Sequence, residues 1–197
     1  LASLASRHKA SKTGSSKIVA IASSTGGPKA LQSVIPKLPG NLDAPVVMVQ
    51  HMPVGFTASL AERLNSLGEL TVKEASEGEK IQKGCAYISK GGAHMNIVRS
   101  GSEHTIHYTD EPSREGVKPC ANYMFESLAG TNFDEVCCVV MTGMGADGTE
   151  GIKNLKNQGK KVHVITQSEG TCVVYGMPKS AVNAGLSNQV SDLDQIA

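Results

Sequence analysis

The chain has 197 residues, of which 40% are hydrophobic, and its formal net charge is +1. A chain of this size and apolar content can bury a large core as one domain. A charge so close to zero gives no reason to expect a nucleic acid or an anionic membrane as partner. No apolar stretch approaches the roughly 20 residues of a membrane-spanning helix, so membrane insertion is not expected.

The cysteines are odd in number and include no Cys-x-x-Cys pair: Cys85, Cys120, Cys137, Cys138 and Cys172. This pattern favours reduced, packed thiols over a disulfide framework or a zinc site. The N-terminus also lacks the apolar segment of a signal peptide. We therefore expect a cytoplasmic protein that holds no metal.

Residues 1–16 (LASLASRHKASKTGSS) are small, polar and basic. They show no apolar period, which is typical of a linker. We expect a linker remnant over residues 1–16 and one folded domain over residues 17–197. A linker at this place suggests that the chain is a fragment of a larger protein.

Three apolar runs rich in Val and Ile are predicted to be buried parallel strands. Each is followed by a polar segment that contains Gly or Pro. Residues 17–22 lead into Ser23-Ser24-Thr25-Gly26-Gly27-Pro28, residues 45–50 lead into His51-Met52-Pro53, and residues 136–141 lead into Thr142-Gly143-Met144-Gly145-Ala146-Asp147-Gly148.

Apolar spacing predicts helices between these strands. Pro28 suits the first position of a helix, and two stripes of apolar residues follow in the sequence: Leu31, Val34, Ile35 and Leu38, then Phe56, Leu60, Leu64 and Leu67. Further helices are predicted from residues 123–128, 152–155 and 178–182. We expect all these stripes to be core.

Residues 94–99 and 104–108 alternate in polarity on either side of Ser100-Gly101-Ser102, which predicts a hairpin. The whole pattern predicts an α/β fold: a doubly wound, mostly parallel sheet flanked by helices, with an inserted antiparallel β-hairpin.

Functional sites of open α/β sheets gather outside the carboxyl ends of the strands. A serine needs a base to act as a nucleophile. Histidine, with a pKa of about 6.5, suits that role near neutral pH, and a carboxylate orients the base. The sequence therefore predicts a hydrolytic site formed by Ser24 or Ser23, His51 and Asp147.

Each residue also has a simpler interpretation. The Ser-Ser-Thr-Gly-Gly turn would bind a phosphate passively at a helix N-terminus, and His51 would be an ordinary loop residue. Asp147 would cap a helix that starts near Gly148. A different serine hydrolase and a phosphate-binding module therefore remain as alternatives at this point.

The remaining histidines do not indicate a metal site. His104 and His107 are separated by two residues in a presumed strand and should point to opposite faces. His163 lies in an apolar strand, where we expect a packed side chain with a hydrogen bond.

Three segments resemble the signature segments of the chemotaxis protein-glutamate methylesterase family, the catalytic domain of CheB response regulators. They are Ala22-Ser23-Ser24-Thr25-Gly26-Gly27, Gln50-His51-Met52-Pro53 and Thr142-Gly143-Met144-Gly145-Ala146-Asp147-Gly148. Two more stretches agree with the family: Gly91-Gly92-Ala93-His94-Met95 and Val173-Val174-Tyr175-Gly176-Met177-Pro178-Lys179. The likeness covers about residues 17–190.

The resemblance assigns roles. The family's nucleophile comes directly before Thr-Gly-Gly, which selects Ser24, with His51 as the base and Asp147 as its carboxylate partner. Thr25 and Met144 match residues that line the site. The N–H groups at the helix start, by Gly26 and Gly27, and the N–H of Met144 would then stabilise an oxyanion.

The resemblance implies a serine esterase that demethylates glutamate γ-methyl esters on the cytoplasmic helices of chemoreceptors, and also a glutaminase. It implies no cofactor, and an N-terminal receiver domain as a partner. From the residues alone we expect a monomer. Where the family usually shows Arg-Pro-Ser-Val, this chain has Val117-Lys118-Pro119-Cys120-Ala121. We expect this loop to shape substrate access.

Overall fold

The computed structural model describes residue 1 and residues 16–197. Within them the chain forms nine strands: β1 (Lys17–Ser23), β2 (Val46–Gln50), β3 (Thr71–Glu74), β4 (Cys85–Ile88), β5 (His94–Ser100), β6 (Glu103–Thr109), β7 (Glu135–Val140), β8 (Lys161–Gln167) and β9 (Gln189–Ser191). The α-helices of the same residues are α1 (Gly27–Val34), α2 (Phe56–Leu67), α3 (Ala121–Ser127), α4 (Thr149–Asn157) and α5 (Met177–Asn183).

In the described part of the chain, seven strands form one sheet in the order β3-β4-β2-β1-β7-β8-β9. Every neighbouring pair in it is parallel. Parallel neighbours need crossover connections, and the intervening helices supply most of them. β1 lies between β2 and β7, so the strands that precede the three predicted site segments are adjacent. The predicted doubly wound α/β fold is confirmed.

The predicted hairpin is also present. β5 and β6 pair in antiparallel register from His94 opposite Thr109 to Ser100 opposite Glu103. They turn at Gly101, whose positive φ of 63° suits glycine. The hairpin forms a two-stranded sheet of its own. Met95 and Ile97 of β5 are buried against the core.

Both faces of the parallel sheet are covered. On β1, Val19 and Ile21 face the core beneath α1 and α2. Ile18 and Ala20 face the opposite core, which contains residues of α3, α4, α5 and the hairpin. Two covered faces explain why the central strands are apolar almost throughout.

The two predicted apolar stripes differ in burial. Every residue of the first stripe is buried. In α2, however, Phe56 is 60% exposed and Leu67 is 37% exposed, so their assignment to the core was wrong. They occupy the two ends of α2, whereas its buried face is formed by residues from Thr57 to Leu64.

The predicted linker falls mainly on residues 2–15, which lie outside the described residues. Leu1 is buried, and its main-chain nitrogen donates to the carbonyl of Ile196 over 2.6 Å. All five cysteines are free thiols, and only Cys172 among them is partly exposed. None of the helices that the structure describes is both long and apolar enough to cross a membrane.

Candidate active site

The carboxyl ends of β2, β1 and β7 meet at one edge of the sheet. Ser23 is opposite Gln50 in the parallel register, so Ser24 and His51 are the next residues of two adjacent strand ends. The N–H of Ser24 donates to the carbonyl of Thr142 over 3.0 Å, which joins the end of β1 to the end of β7. The topology therefore brings together the three segments that the sequence singled out.

The two adjacent serines have different environments. Ser23 is buried, and its hydroxyl donates to Oε1 of Gln50 over 2.6 Å. Ser24 is partly exposed, and its hydroxyl makes no hydrogen bond to a described residue. A buried hydroxyl that already has a partner is poorly placed to attack a substrate, so the geometry favours Ser24 as the nucleophile.

His51 and Asp147 are in direct contact. Nε2 of His51 lies 2.7 Å from Oδ2 of Asp147, and the two side chains are only 10% and 2% exposed. Because an ionised carboxylate only accepts hydrogen bonds, Nε2 carries the proton of a neutral His51. Nδ1 is then the ring nitrogen with a free lone pair.

Asp147 receives three further hydrogen bonds. Oδ2 accepts from the N–H of Ala121 over 2.6 Å. Oδ1 accepts from the N–H of Asn122 over 2.9 Å and from Sγ of Cys120 over 3.1 Å. Burial opposes ionisation, but the hydrogen bonds from His51, Ala121 and Cys120 outweigh it, so the pKa of Asp147 lies below its ordinary value. The site thus holds a stable carboxylate behind His51.

The alternative interpretation of Asp147 as the cap of its own helix is wrong. α4 begins at Thr149, its N-cap is Gly148, and no side chain bonds that cap position. The carboxylate reaches instead to the start of α3. It therefore caps a helix that lies earlier in the chain than Asp147 itself.

Two glycines leave room for the turn at Ser24. Gly26, the N-cap of α1, has φ 81°, a conformation that residues with a Cβ rarely adopt. A Cβ on Gly143 would lie 2.8 Å from Cβ of Ser24, too close for any side chain. The N–H of Gly27 donates to the carbonyl of Ser24 over 2.8 Å and is therefore not free for an oxyanion.

Thr25 and Met144 are both exposed beside the turn. The carbonyl of Thr25 accepts from the hydroxyl of Thr142 over 2.9 Å. The main-chain N–H of Met144 donates no hydrogen bond to a described residue, which leaves it available to a ligand.

Sequence reasoning missed several residues that build the site. Nε2 of Gln50 donates to the carbonyl of Ser24 over 2.9 Å and to that of His51 over 3.1 Å. Thr142 accepts at its hydroxyl from the N–H groups of Val173 and Val174. A polar residue at the end of an otherwise apolar strand was the signal that could have identified Gln50.

Exposed apolar side chains lie on the segments that follow the strand ends of the site. The segments after β2, β7 and β8 carry Val54, Phe56, Met144 and Val173, which are 73%, 60%, 68% and 66% exposed. We call these residues the apolar rim. Val173 lies against the Ser24 turn, because a Cβ on Gly26 would be 2.6 Å from its Cβ.

Three other histidines, His104, His107 and His163, make contacts that do not involve Ser24, His51 or Asp147. His104 stacks on Phe133, whereas His107 lies on the opposite, exposed side with Glu77. Nε2 of His163 is buried and has no partner among the described residues, contrary to the expected hydrogen bond. No group of three or more His, Cys, Asp or Glu side chains suited to a metal ion occurs in the described part of the chain.

The chain is similar to proteins of a known family. Residues 19–197 match the CheB methylesterase family. A protein-glutamate methylesterase/protein-glutamine glutaminase of Bacillus subtilis is 51% identical over 92% of this chain and 50% of the relative. The same-named protein of Desulfotalea psychrophila is 47% identical over 94% of this chain and 51% of the relative.

A crystal structure of the Thermotoga maritima CheB methylesterase catalytic domain superposes with a TM-score of 0.88 at 42% identity, covering 93% of this chain and 96% of that one. The chain spans about half the length of the curated relatives it matches. The chain thus belongs to the CheB methylesterase family.

Proposed function

We propose that this domain, residues 17–197, is a serine esterase that removes methyl groups from glutamate γ-methyl esters on chemoreceptors and also deamidates receptor glutamines. The observation that carries the proposal is the 2.7 Å hydrogen bond between His51 and Asp147 at the strand end next to that of Ser24, whose hydroxyl is bonded to none of the described residues. The activity for which the relatives are named, protein-glutamate methylesterase/protein-glutamine glutaminase, supports the choice of substrate.

In the first half of the reaction, Ser24 Oγ attacks the γ-carbonyl carbon and its proton passes to Nδ1 of His51. We choose Nδ1 because Nε2 lies 2.7 Å from Oδ2 of Asp147 and carries the proton of that hydrogen bond. The carboxylate holds the ring in that tautomer and stabilises the imidazolium once it forms. No proton has to move to Asp147.

The tetrahedral intermediate carries a negative oxygen. The N–H of Met144, which has no acceptor among the described residues, is one donor that stabilises this oxygen, and the start of α1 contributes a positive dipole end. A donor of this kind contributes about 3 kcal/mol in comparable sites. We therefore assign Met144 a main-chain role, with its exposed side chain facing the substrate.

The second half regenerates the enzyme. His51 returns its proton to the leaving oxygen, so methanol departs and an acyl-Ser24 remains. Water then attacks that acyl group, again with His51 as base, and releases glutamate and free Ser24. With a glutamine side chain the departing molecule is ammonia. In both cases the receptor gains one negative charge.

The apolar rim is evidence that the substrate is a macromolecule. Phe56 and Val54 are on one side of the strand ends, and Met144 and Val173 follow the strands on the other side. Exposed apolar side chains grouped at a site are typical of a protein-binding surface. A chemoreceptor helix that presents its esterified glutamate beside apolar side chains would bury this rim.

The proposal also covers the partner domain, the oligomeric state and the location of this protein. The chain's match to about half of each relative is consistent with an N-terminal receiver domain that residues 1–16 would link to this one. We further propose that the domain acts as a monomer in the cytoplasm. Sedimentation of the purified chain tests the oligomeric state.

A fluorophosphonate, which labels activated serines, tests the nucleophile. The intact chain should be labelled on Ser24 and should release methanol from methylated chemoreceptor membranes. Ser24→Ala should abolish the label and lower turnover by about 10³-fold or more. Ser23→Ala is the matched control, and it should still be labelled.

Other outcomes would contradict the proposal. If Ser24→Ala kept near wild-type turnover while Ser23→Ala lost it, the nucleophile would be Ser23. Hydrolysis of small esters or peptides without methanol release from receptors would favour another serine hydrolase. Phosphate binding without any labelling would favour a binding module.

A further inference from the structure

We infer that Cys120 is a positioning residue whose thiol, by donating to Oδ1 of Asp147, keeps the carboxylate turned so that Oδ2 faces His51. This inference rests on the proposed function, because it assigns a role within the same site. Cys120 is fully buried and does not reach the reacting atoms through any described contact. It acts through Asp147.

Cys120 is held by one hydrogen bond from its side chain and another from its main chain. It is the extended residue directly before α3, and its Sγ lies 3.1 Å from Oδ1 of Asp147. Its own N–H donates to Nδ1 of His94 over 3.1 Å. The sulfur is therefore held in place by its main chain as well as by packing.

His94 provides a rigid anchor. Its Nδ1 accepts from Cys120, so the proton of the neutral ring is on Nε2, which lies 3.1 Å from the carbonyl oxygen of Glu111 and 3.2 Å from that of Pro112. The ring is buried and contacts the ring of Tyr123. A chain of contacts thus runs from the hairpin through Cys120 to the carboxylate.

The direction of the hydrogen bond follows from acidity. Burial, the charge of Asp147 and the hydrogen bond to it raise the pKa of Cys120 to about 12. Near neutral pH the proton is therefore on sulfur, while Asp147 is ionised. The thiol donates and the carboxylate accepts.

The carboxylate has two donors on each oxygen. Oδ2 accepts from His51 and Ala121, and Oδ1 accepts from Asn122 and Cys120. Removing the thiol leaves Oδ1 with one donor in a site that is almost closed to water. The carboxylate would then be freer to rotate, and its ionised form would lose stabilisation.

The role that we infer for Cys120 requires a hydrogen-bond donor at this position. A serine hydroxyl would also donate to a carboxylate, with an optimum distance of about 2.5–2.7 Å. Cys120→Ser is thus the natural rescue substitution, whereas alanine and valine offer no donor.

The test compares Cys120→Ala, Cys120→Val and Cys120→Ser by methanol release from methylated chemoreceptor membranes. Cys120→Ala should lower kcat by about three- to tenfold with little change in KM. The acid limb of its pH profile should move to higher pH, because the ionised form of Asp147 loses a donor and the pKa of its carboxyl group rises. Among the described residues, the titratable groups that face Asp147 are His51 and Cys120.

A second measurement does not depend on turnover. NMR of the histidine-labelled chain observes the Nε2–H proton that His51 donates to Asp147. Its resonance should shift or broaden in Cys120→Ala and Cys120→Val and return in Cys120→Ser. Cys120→Val fills the space of the sulfur, so it keeps the test available if the alanine variant does not fold.

Two results would overturn the inference. One is a Cys120→Ala variant with unchanged kcat, acid limb and His51 resonance. The other is a Cys120→Ser variant as impaired as Cys120→Ala, which would show that sulfur packing matters and its proton does not. If the wild-type chain released no methanol while the resonances behaved as expected, the proposed function would fail and the positioning role would stand.

Discussion

Asn122 and Asp147 each cap the helix to which the other is attached. The N–H of Asn122, in α3, donates to Oδ1 of Asp147 over 2.9 Å. In return, Oδ1 of Asn122 accepts from the N–H groups of Gly148 and Gly151, at the start of α4, over 3.0 and 2.7 Å. Main-chain donors at the starts of α3 and α4 are thereby satisfied by Asp147, in the loop before α4, and by Asn122, within α3.

Replacing Asn122 with alanine tests this exchange. The substitution leaves two buried N–H groups without an acceptor, so we expect the free energy of unfolding to fall by about 1–3 kcal/mol. Turnover should also fall, since the segment that carries Asp147 is loosened. Urea unfolding and methanol release measure the two effects.

Asn157→Ala is the control, because Asn157 is exposed at the end of α4. It should change stability by no more than about 0.5 kcal/mol. Equal stability of the Asn122 and Asn157 variants would show that the capping contacts contribute nothing measurable.

Replacing Asp147 with asparagine should reduce turnover by about 10⁴-fold, as in other hydrolase triads, because the amide no longer selects the productive tautomer of His51. The structure adds a stability cost. Each oxygen of Asp147 faces two donors, so the amide nitrogen must face at least one N–H or S–H. A thermal melt should therefore show a lower Tm. A turnover loss below tenfold would leave Asp147 only a helix cap.

The ionised carboxylate of Asp147 should stabilise the fold at neutral pH and lose this effect in acid. Its pKa is lower in the folded chain than in the unfolded chain. Ionised Asp147 therefore adds stability above the unfolded pKa of about 4, and this contribution is lost as the pH falls through the folded value. In urea melts, the stability difference between wild type and Asp147→Asn should stay constant from pH 7 to about pH 5 and shrink as the pH falls below about 4. A difference that stays constant over the whole range would exclude this linkage.

The thiols should differ in reactivity. Burial raises the pKa of Cys120 and of Cys137 to about 12 and that of Cys172 to about 11. Only Cys172 of the five is partly exposed. At pH 8, a thiol reagent such as DTNB should react slowly and first with Cys172, and Cys172→Ser should remove that phase. Labelling of native Cys120 at the same rate would contradict its burial.

Phe56 should contribute to substrate binding rather than to folding. Because it is 60% exposed, Phe56→Ala should leave Tm nearly unchanged, while KM for methylated receptor membranes rises about three- to tenfold. Hydrolysis of a small activated ester such as p-nitrophenyl acetate should not change.

Leu67→Ala is the matched control for Phe56. Leu67 is the last residue of the same helix, about 16 Å along its axis from Phe56, at the end of α2 away from the strand ends. It should leave KM for receptor unaltered. An equal rise in KM for both variants would assign the effect to α2 as a whole.

Much of the fold was predictable from local pattern. Val and Ile runs bounded by Gly and Pro marked β1, β2 and β7, and alternation around Gly101 marked the hairpin. The short strands β3, β4 and β9 were not named, because three or four residues carry too little pattern. The exposure of Phe56 was not predictable, since spacing alone does not show where the sheet beneath a helix ends.

The sequence by itself determined that three strand ends would present a hydroxyl, an imidazole and a carboxylate, because residue type and periodicity fix strands and turns locally. Only the tertiary structure decided that the hydroxyl of Ser23 donates to Gln50, and that Nε2 of His51 is the nitrogen bound to Asp147. It alone also showed that the three hydrogen-bond partners of Asp147 other than His51 come from the start of α3, 25 to 27 residues earlier in the chain. Hydrogen bonds between distant segments depend on how helices pack across a sheet, and local pattern carries no record of that packing.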